Sequence, residues 1–92
     1  MTKVVVVAQV EDSVKWERGF RTHGDHFRSQ TVTKPIYFGT TDGNRVAVCF
    51  EPDDLATFMK IMASPATAEA MAFDGVKRET VKVIVLDKEF KV

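Results

Sequence analysis

The stretch Val4-Val5-Val6-Val7-Ala8-Gln9-Val10 decides the fold of this chain. Its β-branched residues favour a strand, and the run is too short for a membrane-spanning helix. A strand with one solvent-exposed face alternates apolar and polar residues, but this run is apolar on both faces. We therefore expect residues 3–10 to form the central strand of a sheet and to need cover on both sides.

Composition places the chain among ordinary small globular domains. Its 92 residues, 45% hydrophobic and 28% charged, suffice for a single domain with one modest core. Lys plus Arg and Asp plus Glu both number 13, which argues against a nucleic-acid or anionic-membrane partner. The single cysteine, Cys49, excludes a disulfide framework and a cysteine-based metal site. Because the first residues make a poor signal peptide, we expect a cytoplasmic protein.

Glu11, Asp12 and Ser13 end the apolar run and offer N-cap oxygens to a helix that begins near Val14. Gly24 either ends this helix or leaves a defect in one that continues to about Ser29. Spacings of four, three and four residues place a set of large side chains on one helical face. This set is Trp16, Phe20, His23 and Phe27.

A hairpin and a second helical region complete the pattern. Strands at residues 36–39 and 45–51 flank the turn Thr41-Asp42-Gly43-Asn44, whose Asp-Gly is a strong hairpin signal. Ser64-Pro65 starts an alanine-rich helical segment, and a last strand is expected at residues 81–86. The helix before Ser64 is capped by Asp53 or Asp54, and one of its faces carries an apolar stripe. The stripe consists of Leu55, Phe58, Met59 and Met62.

The order β-α-β-β-α-β predicts an α+β, ferredoxin-like sandwich. We expect an antiparallel sheet of order 4-1-3-2 with the helices on one face, and strands one and three side by side and parallel. The second sheet face would remain a bare apolar patch in a chain of this length. A second copy of the chain is the expected cover, which predicts a homodimer built as a dimeric α/β barrel.

Alternation divides the strand residues into two sets. The wholly apolar set is expected to meet the helices: Val4, Val6, Ala8, Val10, Ile36, Phe38, Val46, Val48 and Phe50. The mixed set is expected to face the partner subunit: Val5, Val7, Gln9, Tyr37, Gly39, Arg45, Ala47, Cys49 and Glu51.

Three segments of the chain share a pattern with a known superfamily. They are Asp12-Ser13-Val14-Lys15-Trp16 with Phe20 one turn on, Tyr37…Asp42-Gly43-Asn44…Phe50-Glu51, and Ser64-Pro65…Glu69-Ala70-Met71…Gly75-Val76. Over nearly its whole length the chain resembles small dimeric α/β-barrel proteins similar to antibiotic-biosynthesis monooxygenases. The resemblance implies the fold and a homodimer. It leaves the activity open, because that superfamily includes cofactor-free monooxygenases, haem-degrading enzymes, lactone isomerases and cyclases.

His23 and His26 are the candidate catalytic residues. One imidazole can act as an acid or base near neutral pH, or as an axial haem ligand. Two can begin a metal site, but the spacing shows no third ligand. The alternative is a polar helix end with partly exposed histidines. We expect neither a metal nor a cofactor.

An aromatic and methionine-rich set is expected mainly to form the core, and its size also suits a pocket between the helices and the sheet. The expected ligand-binding residues are Trp16, Phe20, Phe27, Tyr37, Phe58 and Met62. One hypothesis is a module that binds a small apolar ligand, fatty-acyl or polyketide-like. The other is a cofactor-free monooxygenase, isomerase or cyclase that uses His23 or His26 as acid or base. The superfamily's catalytic Asn–Trp pair has no evident counterpart, since Asn44 lies in the turn.

Overall fold

The computed structural model describes residues 2–92 and has the expected order of elements, with each helical region split in two. The strands are β1 (Lys3–Val10), β2 (Tyr37–Thr40), β3 (Arg45–Phe50) and β4 (Val76–Leu86). The helices are α1 (Ser13–Phe20), α2 (Gly24–Ser29), α3 (Leu55–Met62) and α4 (Pro65–Phe73). The first predicted helix therefore ends before Gly24, and His23 lies in the joint between α1 and α2.

The sheet order is β2-β3-β1-β4, which is the predicted order read from the other edge. Each pair of neighbouring strands is antiparallel. The expectation that strands one and three run parallel was wrong. The helical crossover makes β1 parallel to β2, one strand apart, and the tight hairpin then turns β3 back between them.

Strand β4 begins at Val76, earlier than predicted. Val10 pairs with Val76 and Gln9 with Lys77, and the register shifts before Val7 pairs with Lys82. Within this bulge the backbone N–H of Gln9 donates to the Thr80 hydroxyl at 2.8 Å. The charged residues of the bulge break the apolar pattern, and the sequence therefore indicates only the second half of the strand.

The helix ends use the predicted capping residues. The Asp12 carboxylate accepts hydrogen bonds at the start of α1, and Asp54 and Ser64 do the same for α3 and α4. Pro65 occupies the first turn of α4. After α4, Gly75 has φ 77°, a left-handed conformation that favours glycine. This turn places Asp74, the residue before it, at the end of α4.

The helices cover one sheet face, as the alternation predicts. The buried hydrophobic residues form a single core of Val4, Val6, Val10, Trp16, Phe20, Val32, Val46, Val48, Phe50 and Phe58. On the other face Tyr37, Cys49, Val5 and Ile84 lie in one row across the four strands. None of the helices within residues 2–92 combines the length and the apolar character needed to span a membrane.

Candidate functional site

A cavity of about 70 Å³, partly open to solvent, lies between the helices and the covered face of the sheet. Most of its lining is apolar, from β1, β3 and β4 and from α1, α2, α3 and α4. The apolar lining residues are Val6, Ala8, Trp16, Phe20, Phe27, Val46, Val48, Phe50, Met62, Ala70, Met71, Val76 and Val81. The polar lining residues are His23, His26, Gln30, Thr67 and Asp74.

Aromatic rings form one continuous wall of the cavity. Trp16 and Phe20 stack at a centroid distance of 4.8 Å, and Phe20 and Phe27 lie 4.9 Å apart. Phe27 in turn lies 5.5 Å from Phe50 on β3. A wall of aromatic rings offers a surface on which a flat apolar group of a ligand can pack.

The structure brings six of the predicted site residues to the cavity: Trp16, Phe20, His23, His26, Phe27 and Met62. Two others lie elsewhere. Tyr37 is 72% exposed on the open sheet face, and Phe58 is fully buried in the core without lining the cavity. Asn44 is structural, because its side-chain oxygen accepts from the Ser13 N–H at 3.0 Å.

His23 has a buried acidic partner. Its Nε2 lies 2.9 Å from Oδ2 of Asp74, whose side chain is only 5% exposed. The second carboxylate oxygen, Oδ1, is buried without a hydrogen-bond partner. Burial raises the pKa of Asp74 above 3.8, and the positive charges of His23 and Lys15 act in the opposite direction. The two side chains therefore form a hydrogen-bonded acid–base pair on the wall of a mostly apolar cavity.

Sequence reasoning missed Asp74 as a site residue. It lies 51 residues from His23, and no local spacing connects the two. The available signal was an acidic residue placed between an alanine-rich helix and the C-capping Gly75, where the chain turns back towards the sheet. The topology, not the local sequence, brings it to the joint between α1 and α2.

His26 has a hydroxyl partner on α4. Its Nε2 lies 2.8 Å from Oγ1 of Thr67. Burial, and to a smaller extent the nearby charge of His23, lower the pKa of His26 below 6.5. Within residues 2–92 no group of three or more His, Cys, Asp or Glu side chains has the arrangement of a metal site.

The geometry of His23 suits acid–base chemistry. A carboxylate only accepts hydrogen bonds, so Nε2–H of His23 donates to Asp74 and the neutral ring keeps Nδ1 as its basic atom. A base whose orientation is held by a third group is the common arrangement for proton transfer. The same ring can also accept a hydrogen bond from a bound hydroxyl group.

No protein-family model matches the sequence, and no curated protein matches it significantly. Solved structures match over nearly the whole chain. An antibiotic biosynthesis monooxygenase has TM-score 0.68 and 13% identity, covering 97% of this chain and 99% of that one. SnoaB, a cofactor-independent oxygenase from Streptomyces nogalater, has TM-score 0.70 and 14% identity, covering 99% and 95%.

A further match is an ethyl tert-butyl ether d family protein from Bacillus halodurans. It has TM-score 0.61 and 13% identity, covering 97% of this chain and 99% of that one. The expected likeness to antibiotic-biosynthesis monooxygenases is thus confirmed for the fold. At such identities the likeness shows the fold alone, and one fold hosts many functions.

Proposed function

We propose that the chain binds a small, mostly apolar ligand in the cavity, with His23 as the partner of the ligand's one polar group. The observation that carries the proposal is the His23–Asp74 pair on the wall of an aromatic and aliphatic cavity. Burying a titratable pair is unfavourable unless it is well compensated. Such pairs beside a cavity are therefore associated with binding or catalysis.

The size of the cavity limits the ligand. An engineered protein cavity of about 150 Å³ binds benzene, whereas this one measures about 70 Å³. A ligand with a single aromatic ring therefore requires the walls to move apart, and a fatty-acyl or polyketide-like ligand, the class expected from the sequence, requires a larger movement. Helix α2 is the wall best able to move, because it contributes no fully buried residue.

A second candidate function is cofactor-free catalysis, as a monooxygenase, isomerase or cyclase. The buried carboxylate behind His23 favours it, because it orients the ring and stabilises the imidazolium. Such catalysis would begin with a proton transfer, in which a proton moves from an acidic C–H or O–H of the ligand to Nδ1 of His23. The electron pair stays on the ligand as an enolate or phenolate.

We further propose that two copies of the chain associate through the open sheet faces. Three large side chains on that side of the sheet are exposed in the single chain: Tyr37 at 72%, Ile84 at 48% and Leu86 at 46%. Val5 lies between Cys49 and Ile84 in the same surface. A homodimer removes this apolar area from water, and a formal net charge of zero does little to oppose association.

Three fluorinated probes that differ only in their polar group test the ligand proposal by ¹⁹F NMR titration. They are fluorobenzene, 4-fluorophenol and 4-fluorobenzoate. We expect 4-fluorophenol to bind most tightly, because its hydroxyl can donate to His23. No Lys or Arg is present among the described lining residues to pair with the benzoate. Lack of saturable binding of all three probes contradicts the proposal.

Replacing the histidines identifies the polar contact. His23→Ala is expected to weaken the binding of 4-fluorophenol by about 1–3 kcal/mol and to leave the binding of fluorobenzene nearly unchanged. His26→Ala is the comparison, since it removes the other imidazole of the same cavity. Equal losses in both variants would mean that His23 is not the specific partner.

Proton exchange distinguishes the enzyme from the binding module. Wild-type protein, His23→Ala and Asp74→Asn are incubated with 1-tetralone in deuterated buffer, and deuterium uptake next to the carbonyl is followed by NMR. The enzyme candidate predicts faster uptake with the wild type than with either variant. Equal rates for all three contradict catalysis and leave the binding proposal in place.

A further inference from the structure

Helix α1 has a glycine where it passes Asp74. A β-carbon built at Gly19 lies 2.0 Å from Oδ1 and 2.9 Å from Cγ of that carboxylate. Non-bonded atoms do not approach so closely, and a side chain at position 19 therefore excludes the present position of Asp74. By contrast, a β-carbon at Gly24 on α2 meets only the end of the Arg28 side chain, at 3.4 Å.

The backbone at Gly19 does not itself require glycine. Among residues 2–92 the positive-φ glycine is Gly75, so Gly19 has a conformation open to other residues. A glycine inside a helix is less favourable than an alanine. The close approach of the Asp74 carboxylate is the feature that explains the glycine.

We propose that Gly19 is a positioning residue for the cavity site: it leaves the space in which Asp74 is held against His23. The inference rests on the proposed function, in which His23 contacts the ligand. With α1 on one side, Oδ1 of Asp74 is shielded from water and has no hydrogen-bond partner. The carboxylate therefore makes its one hydrogen bond through Oδ2, to His23.

Helix α1 also contributes charge to this arrangement. Lys15, one turn before Gly19, lies close enough to favour the ionised form of Asp74. The helix thus supplies both the space for the carboxylate and a cation near it. Displacement of the carboxylate leaves His23 without the acceptor that holds its proton on Nε2.

Gly19→Ala and Gly24→Ala form a matched pair of helical glycine substitutions that tests the proposal. Two-bond ¹H–¹⁵N spectra report the tautomer of His23, ¹³C spectra report the titration of Asp74, and ¹⁹F NMR reports 4-fluorophenol binding. We expect Gly24→Ala to leave all three unchanged. Gly19→Ala is expected to mix the His23 tautomers, to lower the pKa of Asp74 towards 3.8, and to weaken the probe about tenfold or more.

A double variant keeps the proposal testable if Gly19→Ala unfolds. Gly19→Ala with Asp74→Ala removes the collision, so Asp74→Ala should raise the melting temperature more in the Gly19→Ala variant than in the wild type. The His23 tautomer and the probe affinity should not recover. An equal effect of Asp74→Ala in both backgrounds would overturn the proposal, because no collision with Asp74 would then destabilise Gly19→Ala.

The readouts separate this inference from the proposed function. Unchanged tautomer and carboxyl titration in a folded Gly19→Ala variant overturn the role of Gly19. If 4-fluorophenol does not bind the wild type, the proposed function fails. The two magnetic-resonance titrations then still decide whether Gly19 positions Asp74.

Discussion

Thr67 accepts a hydrogen bond from His26, with 2.8 Å between Oγ1 and Nε2. The direction follows from the other contact of the hydroxyl, which donates to the carbonyl oxygen of Ile61 at 2.6 Å. A hydroxyl has one proton to donate, so Nε2 of His26 must carry the proton between the two residues. The bond joins α2 to α4 across the cavity.

The lowered pKa of His26 predicts that stability falls as the pH drops below 6.5. In that range the unfolded chain binds more protons at position 26 than the folded chain does, so the free energy of unfolding rises with pH. Urea unfolding at about pH 7.5 and about pH 5.5 should show a shallower dependence for His26→Asn than for the wild type. Parallel pH dependences contradict the prediction.

The pKa of Asp74 predicts a pH dependence of stability with the opposite sign. Its raised pKa means that the folded protein holds the proton more tightly, so stability falls as the pH rises from 3.8 through the folded-state pKa. We expect Asp74→Asn to be more stable than the wild type at neutral pH. The control is Asp42→Asn in the exposed turn, and a loss of stability only in Asp74→Asn contradicts the prediction.

Association through the open sheet face is tested with two valine substitutions. Val5→Asp should abolish both association and folding, because a buried unpaired carboxylate costs several kcal/mol of a total stability of about 5–15 kcal/mol. Val14→Asp is the control, since Val14 is 66% exposed on α1. Size-exclusion chromatography with light scattering at micromolar concentration should find a dimer for the wild type and for Val14→Asp. A stable wild-type monomer would contradict this proposal.

Phe58 anchors α3. Its side chain is 0% exposed, and its ring lies 5.3 Å from that of Phe50. Phe58→Ala should lower the free energy of unfolding by about 3–5 kcal/mol. Phe73→Ala, at a position that is 72% exposed, should have little effect. A loss below about 1 kcal/mol for Phe58→Ala would show that its burial does not hold the helix.

The fold was predictable because local signals agreed with one another. The two-sided apolar strand, the Asp-Gly turn and the Ser64-Pro65 helix start each indicated one element, and strand alternation separated the covered face from the open one. The predicted direction of strand three was wrong, because the helical crossover joins β1 to β2 and the hairpin then reverses the chain into β3. The early part of β4 has no apolar pattern, since its charged residues lie in a bulge.

The candidate site was only half predictable. Periodicity placed His23 on the same face as Trp16 and Phe20, and this face lines the cavity. Asp74 could not be found in this way, because its contact with His23 depends on where α4 ends and on the absence of a side chain at Gly19. Contacts between distant segments are set by topology and by small residues, which leave no periodic signal.

Filling the cavity provides the last prediction. Three residues of α4 and the residue that follows it line the cavity at spacings of three, one and three: Thr67, Ala70, Met71 and Asp74. Ala70→Leu adds three carbon atoms on this face, whereas Ala72→Leu adds them at an exposed position of the same helix. Filling a cavity commonly stabilises a protein by about 0.5–2 kcal/mol.

Ala70→Leu should therefore raise the free energy of unfolding and abolish binding of 4-fluorophenol, while Ala72→Leu should change neither. Binding is lost while stability rises because the cavity measures only about 70 Å³, and a leucine side chain and the ring of the ligand cannot both occupy it. Urea unfolding and ¹⁹F NMR titration of both variants measure the two effects. Undiminished binding in Ala70→Leu would place the ligand outside this cavity, and His23 would then need another role.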